Sequence, residues 1–288
     1  MTPPRIALVT CAKLPDLPPD EHLLVRELRA RGADGQAVIW DDPDIAWGGF
    51  DRVVVRSTWD YHHRLPEFLH WVDALQSARV PLWNPPALLR WNADKTYLRD
   101  LERRGVRVAP TRFVEPGSAW ALAVIMDEAG WDDVVVKPSV SATAFETWRV
   151  TRSEAAAHQP RFRGLLDRRR MMVQPCLPEL ARDGEWSLCF VGGAFSHAVL
   201  KRPAAGDFRV QHEFGGSAEL VPRPDELLVA AARRVADAAP GPWLYTRVDG
   251  CLVDGAFVLL ELEMLEPSLF LDLDPGAAGR FADAILRG

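Results

Sequence analysis

Several features that would place a protein in a familiar class are missing from this sequence. No apolar run is long enough to span a bilayer, so a membrane protein is not predicted. The net charge of −6 argues against nucleic acid as the main partner. Neither G-x-x-x-x-G-K-[ST] nor G-x-G-x-x-G occurs, which excludes a P-loop and a Rossmann dinucleotide fingerprint.

Cysteine and lysine are present but scarce. The chain has four cysteines, Cys11, Cys176, Cys189 and Cys251, which have no metal-binding or redox spacing. Three of the four lie in apolar, strand-like segments. They are typical of reduced core residues, so we expect a cytoplasmic protein. Only four of the 34 basic residues are lysines, and three of these four, Lys95, Lys137 and Lys201, are candidate ligand-binding residues.

The sequence has enough apolar residues, 48% of 288, for a large core and more than one lobe. In the first third, continuous apolar runs alternate with helical periodicity, which indicates a parallel α/β lobe. From about Thr111 onward, single strands, two hairpins and helices follow each other. We therefore predict an α/β protein in which a parallel N-terminal lobe precedes two α+β lobes.

Two glutamates near the end of the chain are separated by one residue. Glu261 and Glu263 share one face if their segment is a strand, because strand side chains alternate with period two. Two carboxylates beside a core repel each other unless something positive lies between them. A hard divalent cation such as Mg²⁺ on a nucleotide is one solution. Two solvated glutamates on an edge strand are the alternative.

Asp249 lies on the preceding segment and can join these glutamates only in one register. A two-residue turn at Asp254-Gly255 would pair position 249 with position 260, which would turn Glu261 and Glu263 away from Asp249. A shared metal site therefore requires a three-residue loop or a bulge. We predict such an irregularity between positions 250 and 260.

Two further segments carry candidate ligand-binding groups. Lys137 ends an apolar strand and precedes a loop of small and hydroxyl residues, whose backbone N–H groups can approach phosphate oxygens. Arg56, Thr58 and Asp60 follow the third strand of the parallel lobe, where α/β sheets bind ligands. We expect them to hold the charged groups of an amino acid. An ion pair between Arg56 and Asp60 is the alternative.

In combination these residues resemble the ATP-grasp superfamily over almost the whole chain. The resemblance rests on the order of Lys95, Lys137, Gln174-Pro-Cys-Leu, Gly184-Glu185, Lys201, Arg209, Arg247-Val-Asp249 and Glu261-Leu-Glu263. The last third is similar to prokaryotic glutathione synthetase and D-alanine–D-alanine ligase, with Glu263 in place of the family's Asn. Arg56-Ser-Thr-Trp-Asp-Tyr61, Asn84-Pro-Pro and Trp91-Asn-Ala-Asp-Lys95 look most like the small ligases that include the cycloserine-forming O-ureido-serine cyclo-ligase.

The resemblance implies three domains and a set of ligand contacts. The domains are an N-terminal domain (1–92), a central ATP-grasp subdomain with a phosphate lid (93–172) and a C-terminal subdomain with the Mg²⁺ site (173–288). Lys95 and Lys137 would contact the ATP phosphates under a lid from Ser139 through Ser141 to Ala144. Val173, Gln174 and Leu177 would lie along the adenine, and either Glu179 or Glu185 would bind the ribose.

The same resemblance implies the chemistry. Asp249, Glu261 and Glu263 would hold two Mg²⁺ ions, Lys201 and Arg209 would lie near the γ-phosphate and a substrate carboxylate, and Arg247 would stabilise the transferring phosphoryl group.

The implied activity is ATP- and Mg²⁺-dependent ligation of a small amino-acid-like carboxylate through an acyl phosphate that an amine attacks. The nearest named reaction is cyclisation of O-ureido-serine to cycloserine. Intermolecular dipeptide or amide formation and a non-catalytic ATP-binding module are the alternatives. The expected partners are small molecules, not nucleic acid or membrane, and the oligomeric state is open, a homodimer being one option.

Overall fold

The N-terminal lobe is built on a parallel sheet. The structure is a computed structural model that describes residues 2–204, 206–210 and 214–287. Strand order in this sheet is β2-β1-β3-β4, with helices on its faces. Ile6 through Val9 of β1 are completely buried, as expected for a strand covered on both faces. The elements are β1 (Arg5–Thr10), α1 (Glu21–Ala30), β2 (Asp34–Ile39), β3 (Arg52–Ser57), α2 (Leu65–Ser77) and β4 (Leu82–Trp83).

Two short helices, α3 (Pro86–Asn92) and α4 (Tyr97–Arg103), lead into a central antiparallel sheet of order β5-β8-β6-β7. Along β6, Val134 and Val136 are buried in the core of this lobe, so Val135 and Lys137 point to its other side. The elements of the lobe are β5 (Arg112–Val114), α5 (Leu122–Ala129), β6 (Asp133–Pro138), β7 (Trp148–Thr151), α6 (Ala155–Leu166) and β8 (Met171–Pro175).

The C-terminal lobe is a second antiparallel sheet, of order β11-β10-β9-β12-β13. Two predicted hairpins are confirmed here. Each turns through two residues with positive φ, Gly192-Gly193 in the first and Asp254-Gly255 in the second, which matches the twist of the flanking strands. The elements are α7 (Pro178–Arg182), β9 (Glu185–Val191), β10 (Ala194–Arg202), β11 (Ser217–Val221), α8 (Glu226–Asp237), β12 (Tyr245–Val253), β13 (Ala256–Glu263) and α9 (Ala277–Arg287).

The lobes share cores across the predicted domain boundaries. Helix α9 packs against α1 of the first lobe, and Phe281 belongs to the same core cluster as Ile6. Asn84 is completely buried and joins the first lobe to the last, because its amide donates to the carbonyls of Tyr245 (2.9 Å) and Met264 (2.7 Å). The predicted boundary between residues 172 and 173 falls inside β8, a strand of the central sheet.

No helix in the described ranges combines the length and the apolar character needed to cross a membrane.

A buried ion pair lies at the junction of the first and last lobes. The guanidinium of Arg56, 1% exposed, donates to Glu21 of α1 at 2.5 Å and to the carbonyl of Pro267 at 3.0 Å. It also lies over the rings of Tyr245 and Phe281, at 4.7 and 5.1 Å. Arg56 therefore fixes the first lobe against the chain that follows β13.

Arg56→Met should destabilise the protein by about 3–5 kcal/mol, because the Glu21 carboxylate would remain buried without its partner. The double variant Arg56→Met/Glu21→Met should recover part of this loss. Urea unfolding followed by circular dichroism measures both. As a control, Arg103→Met removes an exposed pair with Asp100 and should change the midpoint little. An Arg56→Met midpoint equal to that of the control would show that the buried pair is not a structural link.

Candidate active site

A cavity of about 570 Å³ lies between the central and C-terminal sheets. Strands β6 and β8 line one wall, β12 and β13 line the other, and Trp59 of the first lobe contributes at one end. Six cationic side chains and seven carboxylates of the described residues line it. So many charges around one partly open cavity indicate a site for a charged ligand, because holding them together without a ligand carries a cost.

The predicted irregularity in the second hairpin is confirmed. The turn itself is a regular two-residue turn, with Val253 opposite Ala256. The register then shifts between Gly250, which pairs with Leu259, and Asp249, which pairs with Glu261. Leu260 is the extra residue of the bulge. As a result Asp249 and Glu261 lie directly opposite each other on the cavity face, while Leu262 points into the core.

Arg247 binds two of the three carboxylates predicted to hold metal. It lies opposite Glu263 in the same register and donates to Glu263 at 2.5 Å and to Asp249 at 2.8 Å. Lys95 forms a 2.9 Å ion pair with the third, Glu261. Because each carboxylate has a cation within reach, the three acids can share one face of the sheet without a metal ion.

Burial and these partners act in opposite directions on the carboxylates. Burial raises the pKa of Asp249, but Arg247 and Lys201 outweigh it, so its pKa lies below the ordinary value. The same balance, with Lys95 and Lys137 as the cations, lowers the pKa of Glu261. Both groups are therefore anionic near neutral pH and available as oxygen ligands for a hard cation.

The donor chemistry of this face suits Mg²⁺, since Asp249, Glu261 and Glu263 offer only oxygen atoms. The described residues nevertheless contain no group of three acidic, His or Cys side chains already arranged around one point. Arg247 lies between Asp249 and Glu263, which explains this. An ion bound here would have to share these carboxylates with Arg247 or displace it.

The three predicted lysines all line the cavity, but only two of them are ion-paired among the described residues. Lys95 and Lys201 are ion-paired, Lys201 with Glu185 at 2.5 Å. Lys137 has no acidic partner within 4.0 Å among the described residues, and burial lowers its pKa. A half-buried cation without a counter-ion favours an anionic ligand.

The predicted lid connects β6 and β7. Ser141 lines the cavity, and its carbonyl accepts a 2.6 Å hydrogen bond from Lys95 Nζ. Ser139 does not reach the cavity in the described structure; its backbone pairs with Lys95 and Arg170 instead. The lid has no glycine, yet Thr143 and Ala144 adopt positive φ values of 49° and 54°, a conformation that costs energy for residues with a Cβ.

Two of the three residues predicted to lie along an adenine line the cavity. Gln174 and Leu177 line it, whereas the side chain of Val173 is completely buried in the central core. Of the two glutamates considered for the ribose, Glu185 lines the cavity. Glu179 is not among the lining residues of the described chain.

Arg209, predicted near the γ-phosphate, also lines the cavity. It is held by Asp207 at 2.8 Å and lies 3.5 Å from the ring of Phe214, so its contacts lie within its own loop.

The predicted amino-acid site at Arg56, Thr58 and Asp60 is not supported, because none of the three lines the cavity in the described structure. Arg56 is bound to Glu21, so the alternative pairing with Asp60 is also wrong. Asp60 instead accepts from Trp40 Nε1 at 2.9 Å and from Arg64 at 3.1 Å. Arg56 and Asp60 therefore serve structural contacts, whereas the buried hydroxyl of Thr58 has no hydrogen-bond partner in the described structure.

The sequence patterns did not indicate several residues that line the cavity or bind its lining. Ser187 donates a 2.5 Å hydrogen bond to Asp249, and strand alternation from Glu185 could have identified it. Glu266 and Ser268 follow β13 and line the cavity, as does Trp59, whose Nε1 donates to the Glu266 carbonyl at 3.0 Å. Glu266 comes three residues after Glu263, so no strand periodicity placed it with the other acids.

Comparison with known proteins agrees with this architecture. A family model described as the N-terminal domain of D-cycloserine synthetase DcsG matches residues 6–84. The cycloserine biosynthesis protein DcsG of Streptomyces lavendulae is 34% identical over an alignment of 310 positions, which covers 97% of this chain and 97% of the relative.

Solved structures give the same result. The crystal structure of D-cycloserine synthetase DcsG superposes with a TM-score of 0.87 at 32% identity, covering 98% of this chain and 99% of that one. The RimK domain protein ATP-grasp from Sphaerobacter thermophilus DSM 20745 has a TM-score of 0.73 at 22% identity, with 98% and 99% covered. The second similarity shows the fold alone. The predicted ATP-grasp fold is confirmed.

Gly250→Ala should distort the bulge, because a Cβ at this position would collide with the Val258 carbonyl and the Phe257 ring. We expect a loss of about 1–3 kcal/mol in the free energy of unfolding, measured by urea denaturation. Gly164→Ala is the matched control, since a Cβ there meets open space and should leave stability unchanged or higher. Equal stability of the Gly250→Ala and Gly164→Ala variants would mean that the bulge tolerates a side chain.

Proposed function

The chain belongs to the family of the cycloserine biosynthesis protein DcsG, a family of ATP-grasp ligases, and we propose that it is an ADP-forming carboxylate–amine ligase. In this proposal ATP and Mg²⁺ activate a small amino-acid-like carboxylate as an acyl phosphate, which a nitrogen nucleophile then attacks. The observation that carries it is the shared face of β12 and β13, where Arg247 and Asp249 lie opposite Glu263 and Glu261 beside the three cavity lysines.

The substrate we propose is O-ureido-serine, cyclised to cycloserine by attack of its own nitrogen. Support comes from relatives that carry the names cycloserine biosynthesis protein and D-cycloserine synthetase, and that match this chain along its full length. An intramolecular nucleophile also suits a cavity of about 570 Å³, because ATP and one small acid fill most of such a space.

The lysines would hold the nucleotide phosphates. Lys137, which has no acidic partner among the described residues, would receive them first, and Lys95 would join it beneath the lid at Ser141. Gln174 and Leu177 would border the adenine, and the carboxylate of Glu185 would accept hydrogen bonds from the ribose hydroxyls. Backbone N–H groups of a lid made of small residues would complete the phosphate contacts.

Asp249, Glu261 and Glu263 are the residues that would hold Mg²⁺. The ion would neutralise phosphate charge and polarise the γ-phosphoryl group. Arg247 and Lys201 lie within the same network and would stabilise the equatorial oxygens during transfer. Arg247 is already positioned for this role, because Asp249, Glu263 and the Ser268 carbonyl hold its guanidinium from three sides.

The reaction then needs two displacements. A carboxylate oxygen of the substrate attacks the γ-phosphorus, and the bond from that phosphorus to the oxygen of ADP breaks. The nitrogen next attacks the acyl carbon, a C–N bond forms, and inorganic phosphate leaves with the electrons of the C–O bond. The nitrogen loses one proton in this step. With O-ureido-serine the new ring still carries the carbamoyl group on that nitrogen, and hydrolysis of the N–C bond by water, which releases the group as CO₂ and NH₃, gives cycloserine. Holding both reactants in one closed cavity supplies most of the acceleration that such transfers require.

The test is ADP release with O-ureido-serine and a panel of amino acids, each with and without hydroxylamine. We expect ADP only when a suitable acid is present, and hydroxylamine should trap the acyl phosphate as a hydroxamate. ADP release without any acid, or no hydroxamate from any acid, would contradict ligase chemistry.

Asp249→Asn should reduce turnover by at least about 100-fold, because it removes a charged Mg²⁺ ligand from the cavity face. Added Mg²⁺ should restore part of the rate if the loss lies in metal affinity. Asp73→Asn is the control, since Asp73 lies on α2 with its side chain 60% exposed, and its rate should be unchanged. Full activity of Asp249→Asn would show that Asp249 is not a Mg²⁺ ligand.

A further inference from the structure

Two charged side chains that line the cavity, Lys137 and Glu266, differ from the others in having no ion pair among the described residues. Each of the remaining carboxylates has a cation within 4.0 Å: Asp133, Glu185, Asp207, Asp249, Glu261 and Glu263. Among the described residues, only Lys137 and Glu266 line the cavity as charged groups without an ion pair. Lys137 has a place in the proposed function as a phosphate contact, whereas Glu266 has none.

Glu266 is 8% exposed, and apart from its own backbone N–H no group of the described chain donates a hydrogen bond to its carboxylate. A buried carboxylate without a partner is costly, and here burial raises the pKa of Glu266 to about 7. A group kept in this state gains most from a ligand that donates hydrogen bonds to it.

The backbone around Glu266 is held firmly. Its carbonyl accepts from Trp59 Nε1 at 3.0 Å, and the next carbonyl, that of Pro267, accepts from Arg56 at 3.0 Å. Arg247 donates to the Ser268 carbonyl at 2.8 Å. The backbone of Glu266 is therefore fixed between the first lobe and Arg247, and its side chain lines the same cavity as Arg247 and the proposed Mg²⁺ ligands.

We propose that Glu266 binds the attacking nitrogen of the substrate, accepting hydrogen bonds from its N–H groups. The ligand class is a small acid that carries an N–H-bearing nitrogen near its carboxylate. This assignment rests on the proposed function, since it concerns the second displacement at the same site. The cavity thus has an unpaired cation for the phosphates and an unpaired anion for the nitrogen.

The assignment also explains why an anion should lie near Arg247 without pairing with it. Arg247 already donates to Asp249, Glu263 and the Ser268 carbonyl, which leaves a single N–H of Nη1 for a ligand. Lys95 is likewise bound to Glu261 and to the Ser141 carbonyl. With both neighbouring cations occupied, the Glu266 carboxylate is left for a donor that arrives with the substrate.

The test separates acid activation from nitrogen attack. Purified wild type and Glu266→Gln are given ATP, Mg²⁺ and O-ureido-serine, with and without hydroxylamine, and cyclised product, hydroxamate and ADP are measured. Hydroxylamine supplies its own nitrogen and does not need to be positioned by Glu266. We expect cyclised product from Glu266→Gln to fall by about 100-fold, because a misplaced nucleophile loses its alignment. Hydroxamate formation should stay within about fivefold of wild type.

Several outcomes would overturn the assignment. If hydroxamate and cyclised product fall equally, Glu266 acts in activation of the acid or in folding. If neither falls, Glu266 has no role in the reaction. A raised Mg²⁺ requirement in Glu266→Gln would assign the residue to the metal instead. If wild type forms neither product with any acid, the proposed function itself fails, whatever Glu266 does. If another acid and amine pair is active, the same comparison is made with that pair.

Folding of the variants is checked by thermal unfolding and by ATP binding. Glu266→Asp retains the charge but shortens the side chain by one methylene. It should therefore lower the yield of cyclised product less than Glu266→Gln does, and it should also leave hydroxamate formation nearly unchanged. It replaces Glu266→Gln if the amide does not fold. Glu67→Gln, on the exposed surface of α2, is the matched control and should leave both products unchanged.

Discussion

The structure depends on balancing many charges inside one enclosed cavity. Arg247 is the centre of that balance, because it binds Asp249 and Glu263 from adjacent strands and reaches the Ser268 carbonyl beyond them. Without it, the carboxylates of β12 and β13 would repel each other in a region that water reaches poorly. Lys95 and Lys201 extend the balance through their pairs with Glu261 and Glu185. Lys137, on the opposite sheet and without an acidic partner among the described residues, is left for an anion.

The backbone makes this balance possible through a single extra residue. A regular hairpin would place Leu260 opposite Asp249 and turn both glutamates away from the cavity. The bulge at Leu260 restores the alignment, and Gly250 permits it because a side chain there would collide with Val258. One local departure from regular pairing thus positions the proposed Mg²⁺ ligands.

The N-terminal lobe contributes to the cavity mainly by holding the chain beyond β13. Asn84, Arg56 and Trp59 all bind backbone carbonyls between Met264 and Pro267. The hydroxyl of Tyr245 adds a link, donating to carbonyls of Val55 and Leu265 at 2.5 and 2.7 Å. Arg56, which the sequence suggested as a ligand contact, therefore acts one step away, by fixing the segment that carries Glu266 and Ser268.

The sequence by itself determined the order of strands and helices, both hairpins and most of the cavity charges, because periodicity and motif spacing are local properties. It also required the bulge, since only a shifted register puts Asp249 beside Glu261. Only the tertiary structure decided which charges are satisfied. Arg56 and Glu21 are 35 residues apart, and nothing local indicated that they would meet in the core. The same holds for Glu266, which reaches the cavity only because the first lobe fixes its backbone.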